Sequence, residues 1–179
     1  MSAAVPEVGA TFRVAPGPMV TAPMVRVGAA PVAATWTLAV ADPAYMKPFV
    51  EGARKNLIPN RDRIVFYKDA QEVIPGVQAM LTAGHTVGHT SFVIASGSKS
   101  LFVVGDLTHH VILIEKPRME VGFDTDPKQG VETRIKVMDM LAAQRMPALI
   151  YHLPWPGIGH LAKQGDGFRY VAEPMQFAL

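Results

Sequence analysis

Cysteine is absent from all 179 residues, which excludes disulfides and any thiolate metal site and leaves the redox compartment open. No apolar run approaches the roughly 18 residues that a membrane helix needs. A basic segment followed by an apolar core is missing from the N-terminus, so no signal peptide is visible and the cytoplasm is the expected compartment. The 17 basic and 15 acidic residues are interspersed, with no basic block longer than Arg54–Lys55. That pattern excludes a nucleic-acid footprint. Residues 1–40 contain no Lys, Asp, Asn, Gln or His, and only Glu7, Arg13 and Arg26 are charged there. Five prolines interrupt that Ala/Val/Pro/Gly-rich stretch, and its apolar residues keep no sustained period of 2 or 3.6. It is expected to be a poorly ordered leader, with residues 32–40 (VAATWTLAV) as its candidate strand.

From residue 41 to 179 the composition is that of one folded α/β domain, within a chain that is 49% hydrophobic overall and long enough for a sizeable core. Asp42–Pro43 predicts a capped helix start, with Met46, Phe49, Ala53 and Leu57 on one face and Pro59 as the stop. Strands are predicted at 63–67 and, after a Pro75–Gly76 turn, up to Leu81. Asp126–Pro127 repeats the cap-plus-proline start. The helix it opens is expected to present Val131, Ile135, Met138 and Leu141/Ala142 as its apolar stripe and to end by Pro147. Residues 148–151 read as a buried strand, 152–160 (HLPWPGIGH) as a constrained loop, and 168–171 as an edge strand.

The stretch 84–106, GHTVGHTSFVIASGSKSLFVVGD, organises the rest. Two histidines four apart occupy a Gly/Thr-rich turn. Predicted strands at 91–95 and 101–104 follow, and the second delivers Asp106. A carboxylate at the end of an apolar strand wants a cation, because an unpaired buried charge is heavily penalised. His85, Asp106 and His152 all stand where a strand hands over to a loop, the usual place for sites in α/β sheets. Imidazole plus carboxylate without thiolate suits zinc, iron or manganese rather than calcium.

GHTVGHTSF, GDLTHH and YHLPWPGIGH, in this order, resemble the C-terminal half of a metallo-β-lactamase-fold hydrolase, closest to the methyl-parathion-hydrolase and quorum-quenching-lactonase subgroup. The resemblance covers about residues 41–171. It implies an αββα sandwich in which His85 binds one zinc ion, Asp106 bridges two and takes part in catalysis, and His152 binds the second. It also implies His89 as a histidine that orients the turn, with His109, His110, Trp155 and His160 around the metals or on the substrate side. The implied reaction is attack of a metal-bound hydroxide on a small-molecule ester, lactone or phosphotriester. The family's N-terminal half carries a His-x-His-x-Asp-His run, whereas the first histidine here is His85. The sandwich is therefore expected to be incomplete, with its N-terminal half largely missing and partial or no zinc occupancy. Three readings stay open: a hydrolase by descent, an inactive half-domain that pairs with a partner or with a second copy through its exposed sheet, and a weak single-metal binder that recruits His89, His109 or His110.

Overall fold

Prolines mark the starts of the first helical elements seen in the computed structural model, which describes residues 11–14 and 43–174. The chain divides into two compact units, Met1–Lys68 and Asp69–Leu179. In the first, strand β1 (Thr11–Val14) pairs antiparallel with β2 (Ile64–Tyr67). Helix α1 (Pro43–Leu57) starts at a proline and gives way to a 3-10 turn at Ile58–Arg63 that contains Pro59. On its expected apolar face Ala53 and Leu57 are half-buried, but Phe49 is exposed. The strand expected at 32–40 lies outside the described residues, as does most of the leader.

The second unit is a seven-stranded sheet in simple sequence order: β3 (Glu72–Ile74), β4 (Val77–Leu81), β5 (Thr90–Ser96), β6 (Lys99–Val103), β7 (Ala148–Leu149), β8 (Ile158–Gln164) and β9 (Gly167–Ala172). Every neighbouring pair is antiparallel except β6–β7, which is parallel. A parallel pair needs a long crossover. It contains a short helix α2 (Ile112–Glu115) and the long helix α3 (Pro127–Gln144). The start of α3 is the one its sequence predicts: Asp126 accepts a hydrogen bond from the Gln129 amide at 3.0 Å, with Pro127 in the first turn. Its C-cap, Arg145, is left-handed at φ 51°. Phe102, Val104, Leu107, Ile114, Val137, Met138, Leu141, Ala148, Ile150, Leu161 and Phe168 form one buried core that includes residues of α3 and of the central strands.

Three expectations need correction. The buried stripe of α3 runs through Gly130, Arg134, Val137, Met138 and Leu141, so Val131 and Ile135 are only half-buried and a cation lies on the core side. Strand 148–151 is also shorter than expected, reduced to β7 (Ala148–Leu149). The predicted loop 152–160 runs into strand β8 at Ile158, so His160 lies within a strand.

Candidate metal centre

Strand direction gathers the site. β4 and β6 are each antiparallel to β5, and β7 is parallel to β6, so β4, β6 and β7 all end at one edge of the sheet. That edge receives the turn with His85, the Val104–Asp106 corner, and the Tyr151–His152 corner. The N-terminal end of β5 adds His89 to it.

His89 is buried and fully engaged. Its Nε2 accepts the Asp106 backbone N–H at 2.8 Å, so Nδ1 carries the proton and donates to the Thr82 carbonyl at 2.9 Å. The Thr82 hydroxyl lies 2.8 Å from Nδ1 and 2.9 Å from Ser91 Oγ, which donates to the Val104 carbonyl. Burial lowers the pKa of His89, consistent with a neutral ring. Gly105 has φ +69°, and a Cβ there would lie 2.6 Å from His89 Nε2. Only glycine allows the chain to turn that tightly against the ring.

His85 is oriented from the loop that leads into α3. Its Nδ1 hydrogen-bonds Asp124 Oδ1 at 2.9 Å, which leaves Nε2 for the site. The buried Arg134 guanidinium stands 3.8 Å from the other Asp124 oxygen and donates to the carbonyls of Leu107, Pro117 and Met119. A carboxylate holding the far nitrogen of an imidazole is the arrangement commonly found behind metal-bound histidines. Asp124 and Arg134 were not singled out from the sequence as site residues.

The remaining groups crowd one oxygen. Asp106 Oδ1 accepts the Tyr151 hydroxyl at 2.6 Å, lies 2.8 Å from His152 Nε2, and is 3.6 Å from His109 Nε2. Burial raises the Asp106 pKa, but the bonds from Tyr151 and His152, aided by His85 and His109, outweigh it and hold the carboxyl below its usual range. Burial first, then the Asp106 bond, raises the Tyr151 pKa. The His109 ring is 5.1 Å from that of His85, 4.8 Å from that of His152 and 4.9 Å edge-on to Phe123. Among the described residues its buried Nδ1 has no hydrogen-bond partner, and burial lowers its pKa. Ligand atoms of His85, Asp106 and His109 all lie within 4.8 Å of one another. Two imidazoles and one carboxylate are a donor set that fits a divalent first-row metal.

His152 joins this group through Asp106. His110 is exposed, and its Nδ1 accepts the Ile112 amide at 3.2 Å. His160 faces Glu173 at 2.7 Å, and Trp155 is 85% exposed in the loop. None of these last three has a described contact with Asp106.

No family model matches the sequence, and no curated protein matches it closely. Solved structures do. A dizinc quorum-quenching lactonase, AidC, solved with a product, is 28% identical with a TM-score of 0.73 over 81% of this chain and 53% of its own. The hydrolase AbOPH of the β-lactamase superfamily is 28% identical with a TM-score of 0.70, over 80% and 50%. A metal-dependent hydrolase described as probable, from Staphylococcus aureus, shares the fold at 20% identity, with a TM-score of 0.50 over 62% and 40%. The chain spans about half the length of the first two. Its fold is that of the metallo-β-lactamase superfamily, whose hydrolases, quorum-quenching lactonases among them, are its structural relatives.

Proposed function

We propose that this chain carries the metal-binding half of a hydrolase site for a small ester, lactone or phosphotriester. The carrying observation is the convergence of His85, Asp106, His109 and His152 at one sheet edge. A lactonase and a second superfamily hydrolase among the relatives support the substrate class. Zinc or a similar ion bound there would supply Lewis acidity and an activated water at neutral pH. His85 and Asp106 would hold it, and His152 hydrogen-bonds the Asp106 carboxylate. Asp124 fixes the tautomer of His85, and His89 fixes the backbone that carries Asp106. The Tyr151 hydroxyl donates to Asp106 and helps to fix the carboxylate. The test is turnover of an acyl-homoserine lactone and of an aryl phosphotriester by zinc-loaded protein. Metal-dependent hydrolysis that Asp106→Asn abolishes is expected; zinc-loaded protein no faster than the Asn variant overturns the reading.

A second copy is the partner we propose for the sheet face opposite α3. Ile74, Val77, Ile94 and Leu101 are register neighbours across four strands, and Ile74 and Ile94 are exposed. Light scattering decides this, and a monodisperse monomer would exclude it. Among the described residues, no helix is long and apolar enough to cross a membrane.

A further inference from the structure

Four histidines lie around Asp106, and their hydrogen bonds separate them. His89 uses one nitrogen on the Asp106 amide and the other on Thr82. His85 spends Nδ1 on Asp124 and keeps Nε2. His152 directs Nε2 at Asp106 Oδ1 from a side chain that is 35% exposed. His109 alone in this set has a buried nitrogen with no partner, and its other nitrogen faces Asp106 at 3.6 Å. Among the described residues neither ring nitrogen of His109 makes a hydrogen bond, so Nε2 is open to an ion beside Asp106. Its neighbours offer no hydrogen bond: the ring is flanked by Phe123 and by two other imidazoles.

We propose that this chain binds a single divalent metal ion through His85, Asp106 and His109, with His152 holding the carboxylate rather than serving as a ligand. Their ligand atoms lie within 4.8 Å of one another, and a tetrahedral zinc shell puts ligands roughly 3.4 Å apart, so the group would close by up to about 1.4 Å on binding. Three protein ligands are what a catalytic zinc ordinarily has. His109 thus completes a shell within a chain whose first histidine is His85. His110, two residues before its own hydrogen-bond donor and exposed, is excluded by the same geometry.

The test titrates zinc into the metal-free full chain by calorimetry and follows cobalt by its visible absorption. One ion per chain is expected. His109→Gln should lower affinity by more than about 100-fold, whereas substitutions behind the ligands, His89→Gln and His152→Gln, should lower it by about 10- to 100-fold. His110→Gln should leave it unchanged. Circular dichroism of His109→Gln keeps the result readable, because the ring nitrogen it removes has no hydrogen bond to lose. Wild-type affinity in His109→Gln, or two ions per chain, overturns the site. The hydrolase reading fails separately: a chain that binds one ion through His109 and turns nothing over loses the activity and keeps the site.

Discussion

The backbone side and the carboxylate side of Asp106 are built on opposite rules. On the backbone side every buried polar atom of Thr82, His89 and Ser91 has a partner, and the chain turns at Gly105 with no room for a side chain. On the carboxylate side a tyrosine and two histidines converge on one oxygen, while a buried His109 nitrogen has nothing. Satisfied networks specify a single geometry. Unsatisfied or over-subscribed groups are where a ligand has something to gain. The difference separates scaffold from site without reference to any relative.

The largest expected effect breaks the scaffold side where it is anchored. Arg134 is 1% exposed and donates to three carbonyls. Arg134→Met should lower unfolding free energy by about 3–5 kcal/mol, since removing one member of a buried charged network strands the others. Urea denaturation measures it. A loss below about 1 kcal/mol would mean that these carbonyls and Asp124 find water, and that the side described as closed is open.

Gly105→Ala probes the same side more finely. Its left-handed φ alone should cost about 1–3 kcal/mol, and the new Cβ meets His89 Nε2. In a His89→Ala background that collision is gone. The double variant should therefore be less destabilised than the sum of the singles, by about 0.5–3 kcal/mol. Strict additivity in a double-mutant cycle would show that His89 does not define the corner.

How far the sequence revealed this depends on how local each signal is. The histidine turn, the Asp106 strand end and the Asp126 cap lie in runs of a few residues whose turn and strand chemistry is self-contained, so they were legible. Asp124 carries no local signal, because its partner His85 lies 39 positions away. Arg134 disappeared from the predicted stripe because a cation on a core face is chosen by the carbonyls it meets, not by periodicity. Strand β8 was missed because Gly159 weakens its strand pattern. The reason for that glycine lies in β9: a Cβ at 159 would come within 2.6 Å of the Tyr170 ring. His109 was named as a candidate, but its distinction from His89 and His110 lies wholly in hydrogen bonds.

The smallest expected effect sharpens the comparison by testing an unsatisfied atom away from the site. Tyr170 Oη, on edge strand β9, is like His109 Nδ1 buried without a partner. If orphaned groups matter only where a ligand can reach them, Tyr170→Phe removes a penalty and nothing else. It should leave zinc affinity unchanged and be neutral or stabilising by up to about 1 kcal/mol at pH 8, the modest reward for deleting an unpaired buried hydroxyl. Its pH dependence follows from the raised Tyr170 pKa, caused first by burial and then by Glu173. A group with its folded pKa raised contributes stability below its unfolded value, near pH 10, and loses it as the pH rises through the folded value. Between pH 8 and 11 the wild type should therefore lose more stability than the Phe variant, read as the difference in urea midpoints so that other alkaline titrations cancel. Equal losses would mean that the hydroxyl is solvated. A Phe variant that binds zinc more weakly would mean that an orphaned atom does not by itself mark the site, and the contrast between the two sides of Asp106 would lose its force.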